Sequence, residues 1–374
     1  MLRIYTLLIA FVAVCSHLMA GGPLKKPLTF IASDSIVVWG DDRSDFRTTA
    51  LSVASELQAR PVVLTKDDVK KYKKNVSSWK KDVLPALNIL GSLGEVGDKD
   101  EVLPTTEMMT QAGKLFLQTA DAAYLDVVER VSLNALMVLL APGELSFEKH
   151  VAAQAMMNTS GMIYATDASG LYVNFYINSS THVKTDNLDF VVDQLTAMPH
   201  SGRVKLRIGG MTKGQQPIVL RLRMPSWAYQ AVPQQMPFAL EGTPDKIPTV
   251  YVNGREEFYK MENGYLVINR LWNSGDEVFF DFPFNVQRLH SVKKGEADKG
   301  KFSLQRGPLV YGWTEPLTEE VCVEDMKFTE DVEGNRFGHS IINCEVRKTD
   351  GKTHLLETQP VMDGVKQLWL NVKK

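Results

Sequence analysis

The residue types that most often carry chemistry are sparse in this sequence. Its 3 cysteines stand at positions 15, 322 and 344, too few for a disulfide scaffold. His150, His182, His200, His290, His339 and His354 show none of the short spacings that seat a metal on one helix or turn. Asp98, Asp100 and Glu101 cluster in D-K-D-E, without the full ligand pattern of a calcium loop. Ser160-Gly161 does not form a nucleophile elbow. Neither a GxGxxG turn nor a P-loop occurs. Trp227, Tyr229, Trp272, Trp313 and Trp369 have ring faces that could stack on sugars, but their strand-rich settings read more readily as core or edge packing.

The elements that would position these groups change period about halfway along the chain. PLTFIASDSIVVWG at 27–40 reads as two short strands. Residues 46–59 read as a helix, with Phe46, Ala50, Val53, Ala54 and Leu57 on one face. The lysine run between Lys66 and Lys81 reads as a solvated helix face, with Tyr72 and Trp79 as its aromatic residues. A stronger helical pair covers 105–119 and 121–138. The first is faced by Met108, Ala112, Leu115 and Phe116, the second by Tyr124, Val127, Val128, Val131, Leu133 and Leu136. Their short link predicts antiparallel packing, with Asp121 capping the second helix. Another helix is expected over 147–163.

From Gly170 the pattern turns to β. LYVNFY at 171–176, RVKLRI at 203–208 and PIVLRLRM at 217–224 alternate, which predicts strands with one buried and one wet face. On that reading Arg221 and Arg223 lie on the wet side. Further strands are expected at 249–252, 265–269, 277–282, 304–311, 340–346 and 367–372. Asn253-Gly254, Asn263-Gly264 and Ser274-Gly275 punctuate them as turns. The fold class expected is α+β and multidomain: a helical domain, then antiparallel β-sandwich modules. The domain bounds are 1–20 as a leader, 21–165 helical, 166–290 a sandwich and 291–374 a β-rich module.

Composition narrows the function classes. With 374 residues and 44% hydrophobic content the chain can bury a full core, and a net charge of -2 argues against a dominant nucleic-acid surface. Arg3, the apolar run LLIAFVAV and Ala20 before Gly21-Gly22 form a signal-peptide pattern too short to span a membrane comfortably. A periplasmic, cell-surface or secreted location is therefore expected, with Cys15 leaving a lipoprotein alternative open. Cys322 and Cys344 read equally as a disulfide pair or as two buried thiols.

GEVGDKDEVLP at 94–104, TADAAYLDVVERVSLNA at 119–135, IYATDASGLYVNFY at 163–176, SGRVKLRI at 201–208, LRMPSWA at 222–228, YVNG at 251–254, GYLVINRLWNSGDEV at 264–278 and LQRGPLVYG at 304–312 occur in one order. Together they resemble glycoside hydrolase family 127, the bacterial β-L-arabinofuranosidase-like family. The resemblance implies a six-hairpin α/α barrel before β-sandwich domains, here only partial because about 125 residues, 41–165, are available for helices. It implies export and a plant-type oligosaccharide or polysaccharide as partner, with no nucleic acid and no membrane span. An oligomer or a second protein completing the helical domain is a further expectation.

The family's chemistry, as the resemblance implies it, uses a zinc-bound cysteine thiolate as nucleophile and a glutamate as acid/base. Glu95 matches the acid/base position, eight residues before Leu103. Glu107 resembles the metal-ligating glutamate and is the candidate second carboxylate. On residue type alone, Glu95 reads as a solvated loop residue and Glu107 as a first-turn helix carboxylate. Met109 stands where the family has its first zinc cysteine, and LSFEKH at 145–150 replaces its Cys-Cys pair. Glu148 and His150 there read as surface or helix-start groups. The expectation is an exported glycoside-hydrolase-like protein that acts on or binds arabinose-containing glycans without the zinc-cysteine mechanism and without a cofactor. An active L-arabinofuranosidase using Glu95, and a noncatalytic structural or protein-interaction module, are the alternatives.

Overall fold

The computed structural model describes residues 24, 26–38, 102–140, 147–212, 214–229, 238–241, 247–291, 301–316, 321–331, 341–348, 351–360 and 370–371. The leader, the helix expected at 46–59, the lysine run, Glu95 and Trp369 lie outside them.

Helix α1 spans Val102–Thr119 and α2 spans Ala123–Val131. The second continues through a π-helical turn, Ser132–Leu136, into α3, Met137–Leu139. Helix α4 is Phe147–Ser160. At the α1–α2 link Ala120 is left-handed, φ 57°, which ends α1 sharply and costs an alanine about 1 kcal/mol. Asp121 caps as expected, its Oδ1 accepting the Ala123 N–H at 2.9 Å.

Two sheets stack beneath these helices. The first runs, in spatial order, through strands Thr29–Phe30, Tyr164–Thr166, Gly170–Val173, Gln216–Arg223, Tyr265–Trp272 and Lys260–Glu262. The second runs through Arg255–Glu257, Val250–Val252, Glu277–Asp281, Arg203–Gly209, Asp189–Thr196, Ser179–Lys184 and Ile36–Val38. Phe116 of α1 packs on Tyr172 and Tyr265 of the first sheet, ring centroids 6.2 and 6.3 Å apart. On the opposite side the Tyr164 hydroxyl meets Ser179 of the second sheet at 2.9 Å. The first sheet is therefore the middle layer. The strand Gly170–Val173 and the residues following it are accordingly buried on both faces, not on one as the alternation of LYVNFY predicts.

Two further differences concern topology. Gly170–Val173 pairs with Gln216–Arg223 in parallel, within a sandwich expected to be antiparallel. The chain leaves the first sheet after Val173, builds the middle of the second and returns beside its point of departure. The approach is so close at Gly170 that a Cβ there would lie 1.8 Å from the Val219 carbonyl oxygen, so only glycine fits. The N-terminal strands Thr29–Phe30 and Ile36–Val38 join the first and second sheets at their edges, although the sequence boundary places them with the helices. The Asn253-Gly254 and Asn263-Gly264 turns close two-residue hairpins with positive φ throughout, the geometry that matches strand twist.

A third sheet contains Val321–Asp331, Ile341–Lys348, Thr353–Pro360, Leu309–Trp313, Lys301–Arg306, Val286–Ser291, Phe238–Glu241 and Leu370–Asn371. The strand expected over 304–311 is divided by a tight turn at Gly307-Pro308. Phe238–Glu241 leaves the sandwich stretch of sequence to pair here with Val286–Ser291. Cys344 is a free, buried thiol, and the backbone register sets Phe328 opposite it, with Cys322 opposite Arg347.

The π turn joins this sheet to the helices. It carries Asn134, whose Nδ2 donates to the Arg130 and Pro308 carbonyls at 3.0 and 2.9 Å. Its Oδ1 accepts the Val310 N–H at 2.7 Å. One amide thus completes a buried strand end as a neighbouring strand would. Asn134→Leu leaves the Val310 N–H and the Pro308 carbonyl without that partner, and is expected to cost about 2–4 kcal/mol. Urea denaturation checks this; a loss below about 1 kcal/mol would show that the amide is not required.

Candidate functional site

Helix α2 turns three charged residues inward. Leu125, Val128 and Val131 make its apolar stripe, yet Asp126, Glu129 and Arg130 between them are also buried. The reason lies across the interface, at the end of strand Gln216–Arg223. Arg223 is fully buried, contrary to the wet side that alternation assigns it. The period of the strand tells which residues share a face, and α2 covers that face at Arg223.

Taking these ions out of water costs several kcal/mol each unless their hydrogen bonds are met. For Arg223, Asp126 and Glu129 they are met in detail. Arg223 NH1 donates to Asp126 Oδ1 at 2.6 Å, NH2 donates to Glu129 Oε1, and Nε donates to the Asn174 carbonyl. The second oxygen of Glu129 accepts the Trp227 indole N–H at 3.0 Å. Asp126 Oδ1 also accepts the Ser226 N–H at 3.2 Å. Tyr265 donates to the Asn174 side-chain oxygen at 2.8 Å, and Tyr176 donates to the Arg223 carbonyl. Burial opposes the Arg223 charge, but Glu129 and Asp126 more than offset it and hold the guanidinium above its ordinary value. Burial also pushes Asp126 up to about 6, against the attraction of Arg223.

Both carboxylates are enclosed and committed to protein donors, so this cluster positions elements. The same face of α2 reaches the third sheet, where Arg130 NH1 donates to Gln305 Oε1 at 2.8 Å. Arg306 of the LQRGP segment joins sheet to sandwich, donating to the His200 carbonyl at 2.8 Å and lying 4.9 Å from the centre of the Phe284 ring.

The residues implicated by sequence are distributed differently. Glu95 lies outside the described residues. Glu107 is in the second turn of α1, two positions before Met109. Glu148 is half-buried and His150 exposed, both in the first turn of α4; α1 and α4 pack together. Trp227, Trp272 and Trp313 are core residues, whereas Tyr229 keeps one part in solvent. The cluster itself was signalled by Asp126, Glu129 and Arg130 interrupting an apolar helix face, with two arginines in the facing strand.

The residues present do not fit a zinc-thiolate centre. Met109, which the family resemblance aligns with the first thiolate, is packed into the core at 2% exposure. A neutral thioether is a poor zinc ligand, and the 145–150 stretch contains no cysteine. Cys344 sits in the third sheet with its thiol pushed up to about 12 by burial, so it is neutral at physiological pH. Among the described residues no three His, Cys, Asp or Glu side chains converge on a point where a metal could sit.

The buried cluster predicts two outcomes. Arg223→Met strands two carboxylates and is expected to cost about 3–5 kcal/mol; Arg223→Lys also destabilises, because one ammonium cannot reach all three acceptors. The pH effect follows from Asp126. Between its ordinary value of 3.8 and about 6, the folded chain holds a proton that the unfolded chain has released. Stability therefore falls as pH rises through that window, by about 3 kcal/mol at most. Thermal melts from pH 4 to 7 should show a steeper fall in the parent protein than in Asp126→Asn; equal slopes would contradict the assignment.

Residues 170–284 match the family described as Beta-L-arabinofuranosidase, GH127 middle domain. Among solved structures, the chain is similar to a GH127 β-arabinofuranosidase at 23% identity and a TM-score of 0.60, covering 74% of this chain and 49% of that one. A GH127 β-L-arabinofuranosidase from Geobacillus stearothermophilus T6 gives 21% identity and a TM-score of 0.58, over 73% and 50% of the two chains. A further glycoside hydrolase gives 18% and 0.59, over 74% and 52%. The chain thus spans about half the length of the structures it matches. No curated protein matches it. The core of the sandwich, residues 170–284, is thus the part of the chain that matches the middle-domain model of glycoside hydrolase family 127.

Proposed function

We propose that the chain is an exported glycoside-hydrolase-like protein that acts on or binds arabinose-containing plant glycans without a zinc-thiolate nucleophile. The observation carrying this reading is the middle domain together with its docking onto a helical layer through Arg223, Asp126 and Glu129. The similar solved proteins named as arabinofuranosidases supply the glycan class. Met109 in the core and the absence of cysteine from 145–150 argue against the thiolate chemistry that the family resemblance implies. Within this reading Glu95 and Glu107 remain the carboxylates for a general acid and a second carboxylate. Hydrolysis would need one to protonate the leaving oxygen and the other to attack or to activate water. Burial of three tryptophans in the core means that sugar stacking falls to other rings.

The purified chain is to be titrated calorimetrically with arabino-oligosaccharides, assayed for released arabinose, and measured for zinc in the same preparation. Saturable binding with well under one zinc per chain, and no effect of thiol alkylation, is expected. Any hydrolysis should be lost in Glu95→Gln and in Glu107→Gln. Stoichiometric zinc together with alkylation-sensitive hydrolysis would restore the family mechanism, and neither binding of arabino-oligosaccharides nor release of arabinose would remove the reading altogether.

A further inference from the structure

The outer face of the second sheet carries an arrangement that its structural role does not require. Tyr251 and Phe279 are directly opposed across neighbouring antiparallel strands, and both keep their rings in solvent, 38% and 43% exposed. Their strand neighbours Val250, Val252, Val278 and Phe280 are buried on the other face. The Cβ atoms of opposed residues in an antiparallel pair stand about 5 Å apart, so the two exposed side chains share one stretch of the sheet face. Register extends the row from Phe279 to Lys205 and on to Leu195; Leu195 is exposed as well.

Charged groups flank this stretch in pairs. Lys205 meets Glu277 at 2.8 Å, and Arg203 lies 3.8 Å from Asp281. The next neighbours are Glu256 beside Tyr251, and Arg207 between Glu277 and Asp193. Basic and acidic groups nearly balance. An open groove of about 470 Å³ continues the strip past Asp281, lined in part by Ser201, Arg203, Ile247, Pro248 and Phe284. Ile247 is exposed there.

We propose that this strip, from the Tyr251–Phe279 pair into the Arg203–Asp281 groove, is a second glycan-contact surface that takes a neutral polysaccharide chain. A sugar ring has an apolar C–H face and a rim of hydroxyls. The ring pair supplies a flat apolar partner for the face, and the exposed ion pairs supply donors and acceptors for the rim. The balance of charge decides against the other occupants. A nucleic acid or an anionic lipid needs an excess of Lys and Arg, which the strip lacks. The strip lies on the sheet remote from α1 and α2, which pack on the first sheet, so it would hold polymer while another part of the protein meets a chain end. It rests on the glycan reading above only for the ligand class.

The test is affinity electrophoresis of the full chain in gels containing linear arabinan, arabinoxylan or polyanionic homogalacturonan. Retardation by at least one neutral polymer is expected. Tyr251→Ala and Phe279→Ala should each weaken it about five- to tenfold, and Tyr251→Trp should retain it. Leu271→Ala, an exposed residue of the first sheet, serves as the control and should leave it unchanged. Melting temperatures verify that each variant is folded. No retardation by either neutral polymer, retardation that survives in the Tyr251→Ala/Phe279→Ala double variant, or preferential retardation by homogalacturonan would each overturn the proposal. So would a dimer in sedimentation velocity that the double variant abolishes. Polymer retardation that depends on Tyr251, in a chain that neither binds nor cleaves arabino-oligosaccharides, would leave this surface standing and remove only the earlier reading.

Discussion

The architecture depends on keeping one guanidinium and two carboxylates together out of water. Arg223 has no exposure, and each of its donor directions is taken by a different kind of acceptor: an aspartate, a glutamate and a backbone carbonyl. Such a cluster contributes little net stability compared with apolar packing. What it adds is specificity. A helix held only by leucine and valine can slide by a turn at modest cost, whereas α2 cannot move without separating Asp126 and Glu129 from their common cation. Trp227 and Ser226, just after the strand, lock the same carboxylates from a second direction.

The layering explains why the interior of the sandwich offers no place for chemistry. The first sheet has helices on one side and the second sheet on the other, so its polar groups are spent on packing. The buried face of the second sheet is used in the same way: the Gln194 amide donates to the Ile177 and Phe175 carbonyls at 2.7 and 3.0 Å. Among the described residues, solvent meets the outer side of the second sheet, the ends of the layers and the part of the first sheet around Leu271. A ligand must therefore be met at a rim or on a face, by side chains that packing has left over.

Much of this fold was legible in the residues. RVKLRI alternates, and Val204, Leu206 and Ile208 are buried while Lys205 and Arg207 are wet. The Asn-Gly pairs mark hairpins because the turn needs positive φ and asparagine and glycine tolerate it. What failed to show was anything set by a partner distant in sequence. Alternation in PIVLRLRM separates two faces but is blind to the helix lying over Arg223. The 121–138 periodicity gave one continuous helix, because nothing local marks the π turn at Ser132–Leu136; its reason is the strand end that Asn134 completes. The site residues were legible only through family resemblance: Glu95 lies outside the described residues, and Glu107 is placed on α1.

The distances in sequence between bonded partners carry a consequence for how the chain becomes a protein. Asp126 and Arg223 are 97 positions apart, and Asn134 and Pro308 are 174 apart. At a synthesis rate of about 5–20 residues per second, α2 waits about 5–20 seconds for its cation, and nearly twice as long for the strand that its asparagine completes. During that interval its two carboxylates have every reason to stay in water, and of its eventual neighbours mainly α1 is present to cover its apolar stripe. The helical layer is thus made before most of the strands it rests on and is among the last parts to be finished. Its assembly is governed by the arrival of the sandwich and the third sheet behind it.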